Sequence, residues 1–324
     1  MRQLNKMSKE QTYTTGESAK LLGVSFRTIK RWIYSGKISV QKTATGRYHI
    51  LGSEIDRLKE SISSKLEELA KIRYEVLELI KRKKVAYLRE LQICLEYNHL
   101  HEDTYEALDV LVEKKELKTE SLKGNRWYYA VDLNWEDVEP IAVQKKELID
   151  FYVGWPRDFR QGDTLYDDYS EFLVERALIH AGYAVVSKNA YYFNGNSCRQ
   201  AVGPGRPRDV DFIAHLHPKD AYLGIQIKNR LEYPRVEDIH QFLDICHTLH
   251  LRPVLVTRIS HPRVYSLMEN VNGEIVIFLR YFLKPEFPND KWKVITEDLG
   301  IPLGVYRRVP DFLVQKFEGL KAKL

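Results

Sequence analysis

Two runs, "DVDFIAHL" and "YLGIQIKNR", separated by little more than the turn "HPKD", constrain this chain more than any other stretch. Short runs rich in apolar residues and bounded by turn residues read as strands. Successive strand side chains point to opposite faces. In the first run Asp209, Asp211 and Ile213 therefore share one face, with Val210, Phe212 and Ala214 on the other. In the second, Leu223, Ile225 and Ile227 face one side, and Gln226 and Lys228 the other. If the runs pair, Asp211, Gln226 and Lys228 converge within a sheet, where a charge without partners is costly.

The surrounding order is α/β. A helical stripe with Leu165, Tyr169, Phe172 and Ile179 precedes a strand that opens at Tyr183, with Glu171 and Glu175 flanking the stripe. After the two runs come the helix "VEDIHQFLDICHTLH" and the strand "PVLVT", which together predict a mixed central sheet. The polar cluster suits phosphodiester cleavage. A hard divalent cation takes oxygen ligands, often one or two carboxylates plus substrate phosphate, and Asp211 fits the principal ligand. A bound cation lowers the pKa of its water and neutralises developing charge, while an ammonium such as that of Lys228 stabilises that charge or orients the water. The carbonyls of Gln226 and Ile227 can complete the shell. A lone QxK on a strand is otherwise most often a solvated face.

Order and spacing shift that balance. Residues 165–258 resemble the PD-(D/E)xK nuclease superfamily, in particular the archaeal Holliday-junction resolvases and the Mrr-type restriction nucleases, through "SEFLVERALIHAGYAVV", "DVDFIA" and "YLGIQIKNR". The resemblance implies catalytic roles for Glu171, Asp211, Gln226 and Lys228, with Glu171, Asp211 and Gln226 holding Mg²⁺ or Mn²⁺. The chain departs from the pattern twice: the third position is Gln instead of Glu, and Arg208 separates Pro207 from Asp209. Arg199, Arg206 and Arg208 lie in the loop "CRQAVGPGRPR", where cations and backbone amides can meet a phosphate strand. The histidines show no HxxxH or HEXXH spacing, so zinc is not expected.

The N-terminus carries a second signal. In "TYTTGESAKLLGVSFRTIKRWIYSGKISVQKTATGRYHI", Thr15 caps a short helix to Leu22, Gly23 turns the chain, and Ser25 caps a second helix through Tyr34. The second helix buries Val24, Ile29, Trp32 and Ile33 and turns Arg27, Thr28, Lys30 and Arg31 outward, as a recognition helix does. Residues 12–60 resemble the MerR and excisionase group of winged helix-turn-helix domains. That resemblance implies major-groove reading by Arg27, Thr28 and Arg31, with Lys30 on the same helix and Arg47 and Tyr48 of the wing on the backbone or minor groove. No recombinase catalytic domain follows, so recombination chemistry is not implied.

Five segments are expected: a helix-turn-helix unit at 1–60, a long amphipathic helix at 61–82, a second winged helix at 83–139, a linker at 140–163 and the nuclease-like domain at 164–324. The stripe Ile55, Leu58, Ile62, Leu66, Leu69, Ile72, Val76 and Leu79 steps by three or four and predicts a coiled-coil homodimer or packing on a neighbouring domain. In the second winged unit, Gly124 and Asn125 are expected at the wing tip, and Glu102, Asp103, Glu106 and Asp109 make its second helix a poor DNA reader.

The fold class is thus multidomain: helix-rich winged units followed by an α/β restriction-endonuclease-like domain. A formal charge of +5 is compatible with DNA, and three scattered cysteines without CxxC spacing fit a reducing cytoplasm. No apolar run reaches a membrane span, and neither a signal peptide nor a small-molecule cofactor is expected. Two functions fit: a metal-dependent DNA endonuclease directed by its N-terminal module, or a DNA-binding regulator whose nuclease-like domain does not cut.

Overall fold

A computed structural model describes residues 11–43, 46–158, 169–198, 209–217 and 221–323. The first half runs β1 (Thr12–Thr14), α1 (Thr15–Leu21), α2 (Phe26–Tyr34), β2 (Gln41–Lys42), β3 (Tyr48–Leu51), α3 (Gly52–Lys83), β4 (Val85–Tyr87), α4 (Leu88–Leu95), α5 (His101–Glu113), β5 (Leu117–Leu122), β6 (Asn125–Ala130) and α6 (Trp135–Asp158). The second runs α7 (Tyr169–His180), β7 (Ala184–Ala190), β8 (Tyr192–Phe193), β9 (Asn196–Ser197), β10 (Val210–Leu216), β11 (Ala221–Lys228), α8 (Val236–Thr248), β12 (Arg252–Thr257), α9 (Pro262–Glu269), β13 (Glu274–Ile277), β14 (Tyr281–Leu283), α10 (Asn289–Asp298), β15 (Leu303–Val305) and α11 (Asp311–Lys323). The chain divides into two compact units, one of residues 1–79 with 102–114, the other of 80–101 with 115–324.

The N-terminal helices begin where their caps dictate. Thr14, one residue before the expected cap, forms a capping box: its hydroxyl accepts from the Glu17 N–H at 3.3 Å and its own N–H donates to the Glu17 carboxylate at 2.8 Å. Ser25 caps α2 through the Thr28 N–H at 3.1 Å. Gly23 takes the left-handed conformation between the helices, φ 64°. Strands β1, β3 and β2 form a small antiparallel sheet, and Ala19, Leu22, Ile29, Ile38, Ile50, Ile55 and Leu58 fill the core.

Two expectations change here. The amphipathic helix is α3, Gly52–Lys83, longer than expected at its N-terminus and closed by Lys81, Arg82 and Lys83, whose charges suit a helix C-terminus. Its stripe does not await a partner helix. Ile55, Leu58, Leu69, Ile72, Val76 and Leu79 are buried and Ile62 is half-buried within the single chain, leaving Leu66 exposed. The argument for a coiled-coil homodimer, which needed an uncovered stripe, therefore falls. In unit 1, Lys65 of α3 pairs with Glu106 of α5 at 2.8 Å, so the acidic side of α5 meets a cation of the same chain.

The region 83–139 shows β4, α4, α5, β5 and β6 in order, with the sheet β4–β6–β5. The wing turn is Lys123–Gly124, both at positive φ, and Asn125 already pairs with Leu122. A two-residue hairpin turn with positive φ at both positions has this form. The stretch 140–158, expected as a linker, belongs to helix α6. Its buried positions Val138, Ala142, Lys145, Ile149 and Tyr152 keep helical spacing, and the stripe was hard to read because a lysine occupies one of them. Lys145 is held there by Glu90 at 2.8 Å and the Val85 carbonyl at 2.7 Å.

The five-stranded sheet has the order β13–β12–β11–β10–β7, with β7, β10 and β11 antiparallel in turn and β11, β12 and β13 parallel. On one face α7 and α11 pack Leu173, Val174, Leu178, Leu313 and Phe317 over Phe212, Ala214, Ile225 and Ile227. On the other, α8 and α9 pack Phe242, Ile245, Cys246, Val264 and Met268 over Ile213 and Leu255. Val210, expected beside Phe212, joins the α8 face with Ala190 and Cys198, because it precedes the pairing with β11, which begins at Phe212↔Ile225. The strand alternation otherwise follows the sequence.

Candidate functional site

Phe212 lies opposite Ile225, so Asp211 and Gln226 follow as the next opposed positions of the two strands. Beyond that last ladder pair the Asp211 carboxylate takes over as acceptor: its Oδ2 receives the Ile227 N–H at 2.5 Å and the Gln226 amide N–H at 2.7 Å. An ionised carboxylate only accepts, so the Gln226 amide must turn its NH₂ toward it. Burial pushes the Asp211 pKa up from an ordinary 3.8 to about 6; the Ile227 N–H, the Lys228 charge and the Gln226 amide oppose the rise, and Asp209 adds to it. Lys228, half-exposed at the end of β11, makes no ion pair to a described residue, while its carbonyl accepts from the Thr257 hydroxyl at 3.1 Å.

Asp211, Gln226 and Lys228 are thus brought together, as expected. Glu171 is not among the groups that bond to Asp211 or shift it. It lies in the first turn of α7, and the neighbouring acid that acts on Asp211 is Asp209. Among the described residues no group of three or more His, Cys, Asp and Glu side chains is gathered to hold a metal. Both donors to Asp211 converge on Oδ2, which leaves Oδ1 without a hydrogen bond to a described residue. One carboxylate oxygen of this kind fits a Mg²⁺ ion that keeps most of its water. Arg199, Arg206 and Arg208 lie outside the described residues.

Sequence reasoning missed several partners. Lys188 of β7 lies opposite Phe212 and pairs with the buried Glu175 at 2.8 Å, so the second glutamate of α7 is the one tied to the sheet. Asn229, next to Lys228, grips Phe282 of β14 twice, donating to its carbonyl and accepting from its N–H, both at 2.9 Å. Such contacts join residues far apart in the chain and leave no periodic trace.

On α2, Arg27, Lys30 and Arg31 are exposed on one face at helical spacing, and Tyr34 continues it at 73% exposure. Tyr34 was not singled out from the sequence, although its spacing from Arg27 and Arg31 marks it. The Lys30 ammonium lies 4.8 Å from the Phe26 ring centroid. Thr28 is half-buried and its hydroxyl is 2.8 Å from that of Ser25, which employs it in the cap. In the wing Arg47 is exposed, and the Tyr48 ring carries the Lys42 ammonium at 6.0 Å.

This geometry defines a helix-turn-helix DNA-binding module joined to a mixed-sheet unit. Residues 12–63 match the helix-turn-helix domain family. Neither a curated protein nor a solved structure matches the chain. No helix of the described residues is long and apolar enough to cross a membrane.

Proposed function

We propose that the chain is a metal-dependent DNA endonuclease whose helix-turn-helix module brings it to DNA. The observation that carries this reading is the juxtaposition of a desolvated carboxylate, Asp211, with the ammonium-bearing Lys228 at the end of the central antiparallel pair. A sheet that needed only stability would place an apolar pair there, since a buried ionisable group costs more than it returns. Asp211 Oδ1 and the side-chain carbonyl of Gln226 would hold Mg²⁺ or Mn²⁺ with water and substrate phosphate, and the ion when bound supplies charge neutralisation and a more acidic water. Lys228 places its charge on the phosphate oxygens, and Ile227 and Gln226 fix the carboxylate through Oδ2.

One observation favours a second reading. Asp211 already accepts two close donors, which suits a carboxyl that only orders the β10–β11 junction in a non-cleaving regulator. Incubation of the purified chain with linear, supercoiled, branched and single-stranded DNA, with Mg²⁺ or Mn²⁺, separates the two. Wild type is expected to cut at least one form, and Asp211→Asn and Lys228→Ala each to lose at least about a hundredfold in rate. Wild-type protein inert on every form, or Lys228→Ala as fast as wild type, gives the regulator reading its place.

A further inference from the structure

Immediately after Lys228 the chain leaves the sheet, and four successive residues are held from outside it. The Arg258 guanidinium, fully buried, donates to the Arg230 carbonyl from Nε at 3.1 Å and to the Leu231 carbonyl from Nη2 at 2.7 Å. Arg89 pairs with Glu232 at 3.1 Å, and the Tyr233 ring stacks on His101 with centroids 4.3 Å apart. Arg258 in turn takes Glu96 as its counter-charge in a two-pronged pair, Nη1 to Oε1 at 2.5 Å and Nη2 to Oε2 at 2.8 Å. Glu96 caps α4, and Oε2 also meets His101 Nε2 at 3.2 Å. Burial alone would raise the Glu96 pKa; the bonds from Arg258 and His101 outweigh it and hold the carboxyl below its usual value.

A fully buried guanidinium needs a carboxylate partner, and a bidentate fork fixes its plane as well as its place. Glu96 sets the plane of Arg258, and that plane aims two donors at consecutive carbonyls. The chain is thereby fixed two residues beyond Lys228, while Thr257 holds the Lys228 carbonyl and Asn229 is tied to Phe282. Neither Glu96 nor Arg258 approaches Asp211 through any bond described.

We propose that Glu96 is a positioning residue: through Arg258 it fixes segment 229–233 and so sets where the Lys228 ammonium stands relative to Asp211. The region 80–101 then serves the candidate site as a buttress, independent of any contact it makes with DNA. The catalytic consequence rests on the endonuclease reading; the mechanical one rests on the contacts alone.

Two measurements on the full chain test it. Amide hydrogen exchange of segment 229–233 in Glu96→Gln, and in Arg258→Lys as a second variant that keeps the charge but loses the fork, is expected to run at least about tenfold faster than in wild type, with α7 and β12 still protected. Cleavage by the same variants should lose about ten- to a hundredfold in kcat with KM little changed, the pattern of a displaced group. Unchanged exchange in a folded variant sinks the proposal, as does an active wild type whose kcat both variants match. If both variants unfold globally, Glu96 and Arg258 are a core pair and no more. A wild type inert on all DNA forms overturns the endonuclease reading instead, and the exchange measurement still decides the buttress.

Discussion

At the scale of single residues, Asp211 is where the fold holds a carboxyl against its ordinary ionisation. Its folded pKa of about 6 lies above the ordinary 3.8, so the fold favours the protonated form. Between those values the native state binds more protons than the unfolded chain, and stability falls as pH rises from about 4 to 6. Burial is the main cause, with Asp209 adding to it. Asn has the shape of the protonated acid and its carbonyl accepts the same donors. Asp211→Asn is therefore expected to stabilise the protein at pH 7.5 by about 1 to 3 kcal/mol, following from about two pKa units, with the gain vanishing near pH 4. Denaturant midpoints at the two pH values check this, and a variant that is destabilised at pH 7.5 would show that the carboxylate's bonds outweigh its burial.

At the scale of elements, α3 tests how far periodicity can be trusted. Its stripe was legible as a helix, but what covers a stripe is a tertiary fact. Leu66 is 61% exposed, whereas Val76 is fully buried. Leu66→Glu is expected to change stability by no more than about 0.5 kcal/mol, and Val76→Asp to cost more than about 3, because it leaves a charge unpaired inside the protein. Thermal melts of the two variants decide it, and equal losses would mean the exposed position is covered in solution. The same limit explains α6, whose Lys145 masks an apolar stripe until Glu90 is placed beside it. Caps, the glycine turn and strand alternation were readable because they are local: Ser25, Gly23, and the alternation of Ile225, Gln226 and Ile227. Glu96 with Arg258 and Glu175 with Lys188 depend on which element lies beside which, and neighbouring residues do not encode that.

At the scale of the whole molecule, the exposed cations of α2 and the Asp211 cluster belong to different compact units. No bond described links Arg27 or Arg31 to Asp211 or Lys228. Substitutions that share no partners usually combine additively, to within about 0.5 kcal/mol. If α2 reads DNA as proposed, Arg27→Ala with Arg31→Ala should lower affinity for a cognate duplex by about 1 to 3 kcal/mol for each side chain that bonds a base edge, and the dependence of binding on salt should become shallower. Asp211→Asn should leave DNA affinity nearly unchanged, since it alters one carboxyl in the other unit. The triple variant should then bind as the α2 variant does and melt as the Asp211 variant does. Binding titrations at two salt concentrations, with melts of all four proteins, close the cycle. A coupling above about 0.5 kcal/mol in either quantity would mean that occupation of α2 is felt at the sheet, and the two units would then have to be treated as one device.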